Sequence, residues 1–168
     1  MKTLFSTKKI FMFKNPIVKN ILSALAVAGF GFILLNFTFM FDFLLHSIVT
    51  GFIKLFIPLN PEMTYYWFPP VMHAFFVVVI GLISWFIFRS KLDVLYKAIY
   101  MTVPSAVVFV TLGMFLYHWP VAAYSLGSLF GIGVLYYFYR TKQPWLYYYT
   151  VILVGLTMLL VGLLGVEI

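Results

Sequence analysis

The sequence predicts an all-α integral membrane protein: five transmembrane helices in a bundle, N-terminus inside and C-terminus outside, with an outer interfacial helix between the first and second spans. Three observations carry that expectation. The chain is 64% hydrophobic over 168 residues, with only 9% charged residues, where soluble domains average about 25%. Its mean hydropathy is +1.07. Five apolar runs long enough to cross a bilayer follow one another, and none alternates in the manner of a membrane β-strand. Helices are then the spanning structure that satisfies the backbone in lipid. This composition excludes a soluble globular domain, a disordered chain and a nucleic-acid module, despite the formal charge of +7.

The first run, 21–41, covers about 31 Å at 1.5 Å per residue, enough for the hydrocarbon core. It follows Lys2, Lys8, Lys9, Lys14 and Lys19. It is too long for a signal-peptide core and ends at Asp42 without a small-residue cleavage site, so it reads as a retained helix. The second run, 71–88, is bounded by Pro69-Pro70 and Arg89. The third, 98–117, contains Pro104 as an expected kink. Lys97 lies at its start, where a long stem can snorkel to the headgroups. The fourth, 121–139, begins after His118-Trp119-Pro120 and stops at Arg140; the fifth, 145–165, follows Pro144. Residues 21–168 form a single membrane domain, preceded by a basic cytoplasmic segment, 1–20. That segment is either an interfacial helix among anionic headgroups or a basic tail.

Orientation follows from the cations. With the N-terminus in the cytoplasm, ten of the eleven basic residues fall inside and only Lys54 falls outside. Tyr136, Tyr137, Tyr139, Trp145 and Tyr147 then mark the inner interface, and Tyr65, Tyr66, Trp67, Tyr117 and Trp119 the outer one. The one long connection is the outer loop 42–70. Its first part stays apolar, with His46, Thr50 and Lys54 on one helical face. One helix from Ile21 to Ile57 would be about 55 Å long, far beyond the bilayer, and Gly51 offers a break. Residues 43–57 therefore project, re-enter, or lie on the outer surface, and the surface helix is the expectation.

Under this topology Asp42, His46, His73 and His118 gather at the outer interface. Asp42 and His46 are one turn apart on a shared face, His73 opens the second span and His118 closes the third. Converging, they would suit a divalent metal with an open position, a haem between His73 and His118, a proton-linked site, or a polar clamp for a small solute. Tyr66 and Trp67 would form part of its lid. Set against this, histidines are tolerated at interfaces, and Asp42 also reads as the plain end of a span. The residues name no cofactor and no metal. With no cysteine, disulfides and thiolate chemistry are excluded, and four acidic residues leave little room for two-metal phosphoryl transfer. No Walker loop, H-E-x-x-H or G-x-S-x-G occurs, and Gly131-Ile132-Gly133 lies within a span.

Small residues at four-residue spacing mark close helix contacts: Ala24 and Ala28 with Gly31 on the first span, and Ala123, Gly127 and Gly131 on the fourth. They pack the bundle or dock a second subunit. In size and in Ala24-xxx-Ala28 the chain is similar to the vitamin-binding membrane subunits of energy-coupling-factor transporters, a resemblance that implies solute binding. It departs from them in having five spans rather than six and the C-terminus outside. Three functions follow. The first is a transport or solute-binding subunit of the plasma membrane; the second is a membrane enzyme using the Asp/His cluster; the third is a non-catalytic assembly subunit. The expected partners are the lipid bilayer and either a small solute or another membrane subunit, with no nucleic acid.

Overall fold

Prolines and turn signals set the helix starts. In the computed structural model, which describes residues 15–56 and 68–164, α1 spans Pro16–Phe56, α2 Phe68–Arg89, α3 Val94–Phe115, α4 Pro120–Arg140 and α5 Trp145–Leu163. Pro16 and Pro120 open their helices and Pro144 caps α5, positions where the missing N–H costs nothing. All five helices are long and apolar enough to cross a membrane, which fits a membrane protein. Residues 1–14, 57–67 and 165–168, including Tyr66 and Trp67, lie outside the described residues.

The helices match the expected runs to within a few residues, except α1, which begins at Pro16 inside the expected N-terminal segment and continues past Phe41. Residues 42–56 are not a separate segment, because α1 runs unbroken through Asp42 and Gly51 for 41 residues, about 62 Å. A lone glycine in an otherwise apolar helix costs only about 1 kcal/mol, too little to end it. Likewise α3 continues through Pro104.

The centre of the bundle is α3. It contacts all four other helices, which form an arc in the order α2, α1, α5, α4 around it; α2 and α4 are the unpaired ends of the arc, with no Cα pair within 8 Å. The reason is legible in α3 itself, where Ala98, Met101, Thr102, Val103, Ser105, Ala106 and Val107 are all buried. Small and β-branched side chains let neighbouring backbones approach, and such packing holds helices together in lipid. α1 and α3 run in parallel. Gly31 abuts Thr102, whose methyl would sit 2.6 Å from a Cβ added there. α5 is parallel to α3 as well: Thr150, fully buried, donates to its own Leu146 carbonyl at 2.8 Å and to the Ala98 carbonyl at 3.2 Å. One apolar cluster joins Val27, Ala98, Met101, Phe138, Leu146, Tyr147 and Val151. A second joins Phe76, Ile80, Val103 and Val107.

The α4–α5 turn closes on a two-bond motif. Gln143 N–H donates to the Phe138 carbonyl and Lys142 N–H to that of Tyr139, with Lys142 in the left-handed region at φ 51°. These bonds satisfy carbonyls that a helix end leaves open.

Candidate functional site

Helix register places the expected polar residues. Gly31 opposite Thr102 sets α1 against α3, and His73 opposite Thr111 sets α2 against α3. Carried up one helix by the same offset, Asp42 comes level with Gly113 and His46 with Tyr117. Asp42, His46, His73 and His118 therefore share one end of the bundle. Lys19, Arg89, Lys91, Lys97, Arg140 and Lys142 share the other, which we call the basic end.

Of the four, His73 is the one the bundle builds around. It is only 9% exposed, and its Nε2 lies 2.9 Å from Thr111 Oγ1. The Thr111 hydroxyl donates its proton to the Val107 carbonyl at 2.6 Å, so its oxygen accepts and His73 Nε2 donates. This network assigns the proton to Nε2. The rings of Phe76 and Phe115 flank the imidazole at 6.1 and 6.4 Å. Nδ1 has no hydrogen-bond partner among the described residues. Asp42 is half-buried, whereas His46 and His118 are exposed, and the His118 ring packs on Tyr117 at 5.4 Å. Among the described residues no three His, Cys, Asp or Glu side chains are grouped to hold a metal ion. The face of His46, Thr50 and Lys54 is not uniformly wet either, since the Thr50 hydroxyl is buried and has no hydrogen-bond partner among the described residues.

Two features escaped the sequence reading. A groove of about 210 Å³ lies between α1, α2 and α3, lined by Leu34, Phe37, Thr38, Phe41, Ile80, Ile83, Tyr100 and Val103. It extends from the level of His73 toward the basic end. Beside it Ser84 Oγ and Tyr100 Oη are 3.2 Å apart, and Ser84 donates to the Ile80 carbonyl, which makes Tyr100 the donor between them. Second, Lys97 does more than snorkel: its Nζ donates to the Phe88 carbonyl in the last turn of α2 at 2.9 Å.

The small residues find close neighbours in the same chain. Gly31 packs on Thr102, while a Cβ on Gly127 or Gly131 would meet the Phe109 ring at 3.5 or 4.0 Å. Ala24, Ala28 and Ala123 are half-buried. No protein-family model matches the chain, and no curated protein or solved structure is significantly similar to it.

Proposed function

We propose that this protein is a small multipass subunit of the plasma membrane that binds or transports a small solute at its outward-facing polar end. The observation that carries the reading is His73: a histidine buried between helices, oriented through Nε2 by Thr111, on the level of Asp42. A fixed imidazole with a free ring nitrogen is suited to grip a solute that donates a hydrogen bond. Asp42, His46 and His118 complete the proposed site, together with Tyr66 and Trp67 from the connection after α1. The N-terminus and the basic end face the cytoplasm in this proposal, in keeping with the excess of cations there.

Native mass spectrometry of the detergent-purified protein, with elemental analysis, tests this directly. A small molecule or ion is expected to co-purify and to be lost in His73→Ala and His46→Ala while the melting midpoint changes little. An empty protein, or unchanged retention in both variants, overturns it.

One observation favours assembly with a second membrane protein instead. On the same register α1 passes the end of α3 by about twelve residues, some 18 Å, and keeps Ile48 and Leu55 exposed along that stretch. Loss of a stable complex in Ile48→Asp and Leu55→Asp, with silent histidine variants, would establish that reading. Leucine at Gly127 does not serve this purpose, because it would strike Phe109 of the same chain.

A further inference from the structure

Because α2 and α4 flank α3 with no Cα of one within 8 Å of the other, a seam runs down the bundle between them with α3 as its floor. Burial along α3 traces it. From Met101 to Val107 every residue is buried except Pro104, and Val108, one turn on and half-buried like its neighbours to Leu112, lies on the same face as Pro104. Lys97, Pro104 and Val108 follow at spacings of seven and four residues, so they line one helical face. The seam is thus apolar along the span and ends in an ammonium group at the basic end.

That ammonium is fixed. Lys97 Nζ donates one of its three hydrogens to Phe88, which anchors it at the α2 wall with two donors to spare. The walls themselves end in cations: Arg89 closes α2, its guanidinium 4.0 Å over the Trp85 ring, and Arg140 closes α4. Lys91 and Lys142 stand in the two turns. Against these five, Asp93 is the one acidic side chain at that end among the described residues. An apolar crease running into a held excess of positive charge is complementary to an amphiphile with an anionic head.

We propose that the seam between α2 and α4 binds an anionic phospholipid, its phosphodiester on Lys97, Arg89 and Arg140 and one acyl chain along Pro104 and Val108. Arg suits this task because its planar fork can hold two phosphate oxygens at once. The Pro104 ring adds apolar surface on the seam floor and brings no N–H that would need a partner in lipid.

The test uses the full-length protein in neutral detergent, titrated with phosphatidylglycerol, phosphatidylcholine or glycerol 3-phosphate, and read by native mass spectrometry and by the melting midpoint. Phosphatidylglycerol should be retained and raise the midpoint; the zwitterionic lipid and the chain-free headgroup at equal concentration should not. Lys97→Gln should weaken phosphatidylglycerol binding about tenfold, the worth of one charge-assisted hydrogen bond. Lys97 also caps α2, so two further variants guard against a folding defect. The exposed Arg140→Gln removes charge alone, and Val108→Trp fills the seam while every charge stays. Both should weaken binding as well. Equal retention of the two lipids, a full shift by glycerol 3-phosphate, or unaltered affinity in Arg140→Gln and Val108→Trp would overturn the proposal.

Discussion

At Gly31 the α1 backbone lies so near α3 that any side chain would collide with the Thr102 methyl. Thr102 is 2% exposed, and its hydroxyl is engaged with the Ile99 carbonyl at 2.7 Å, so it cannot swing away. Two effects oppose each other in Gly31→Ala. Helix propensity favours alanine by about 1 kcal/mol, while overpacking a tight contact costs about 1–3 kcal/mol; the clash wins. The melting midpoint should fall in Gly31→Ala and recover when Thr102→Ala is added, a cycle that isolates the contact. His73 and Thr111 invite the same treatment. Thr111→Val leaves the Nε2 proton without an acceptor and should cost about 1 kcal/mol, in line with hydrogen bonds between membrane helices. His73→Phe, which removes both needs, should be milder in a Thr111→Val background than Thr111→Val alone. Of the two residues only His73 was singled out in the sequence. Its partner was nevertheless readable: His73 and Thr111 stand 19 residues either side of Leu92, and Ser84 and Tyr100 stand 8 residues either side of it. An antiparallel helix pair folded about one turn brings such mirror positions together, and a break between Arg89, which bounds the second run, and the third run was visible in the sequence. Without the turn geometry, however, the mirror centre was uncertain by a residue or two, which is half a helix face.

Elements were more legible than contacts. Prolines, basic residues and apolar run lengths located α2 to α5 to within a few residues, because lipid imposes one length and one backbone solution on every span. The exception is α1. Gly51 and Asp42 argue locally for a stop, yet helix hydrogen bonding propagates through isolated weak formers when the residues around them, here Phe, Leu and Ile, are helix-compatible. The α4–α5 turn was equally opaque, since nothing in Arg-Thr-Lys-Gln signals that Lys142 takes the left-handed conformation usually left to glycine. A left-handed L-residue costs about 1–2 kcal/mol, part of which glycine would return as unfolded-state entropy. Lys142→Gly should therefore raise the unfolding midpoint relative to Lys142→Val, which forces a β-branched side chain into the same region. Both variants lose the same charge, so their difference reads the backbone alone, and equal midpoints would contradict the turn geometry.

On the scale of the whole molecule, the two ends differ in character: most cations at one, the histidines, Asp42 and Lys54 at the other. The absence of cysteine makes that asymmetry directly measurable, because each introduced thiol is unique. In intact cells His118→Cys should react with a membrane-impermeant maleimide, while Lys142→Cys should react only after permeabilisation; the reverse pattern would invert the proposed orientation and move the solute site to the cytoplasm. The proposed solute and lipid sites use opposite ends of α3, so variants at one should leave the other intact. Composition announced the membrane and the charge asymmetry. The arc of helices around α3 was hidden, because all five runs are apolar on every side; the small-residue stripes of the first and fourth spans marked contact faces but not which helix they meet. The unbroken length of α1 also has a mechanical meaning. Gly31 is a tight contact of α1 with α3, and Phe56 lies 25 residues further on, roughly 37 Å along the axis. A tilt of ~10° about that point would carry the far end of the helix through about 6 Å, so the geometry alone magnifies any small change of packing at Gly31 by the length of the overhang.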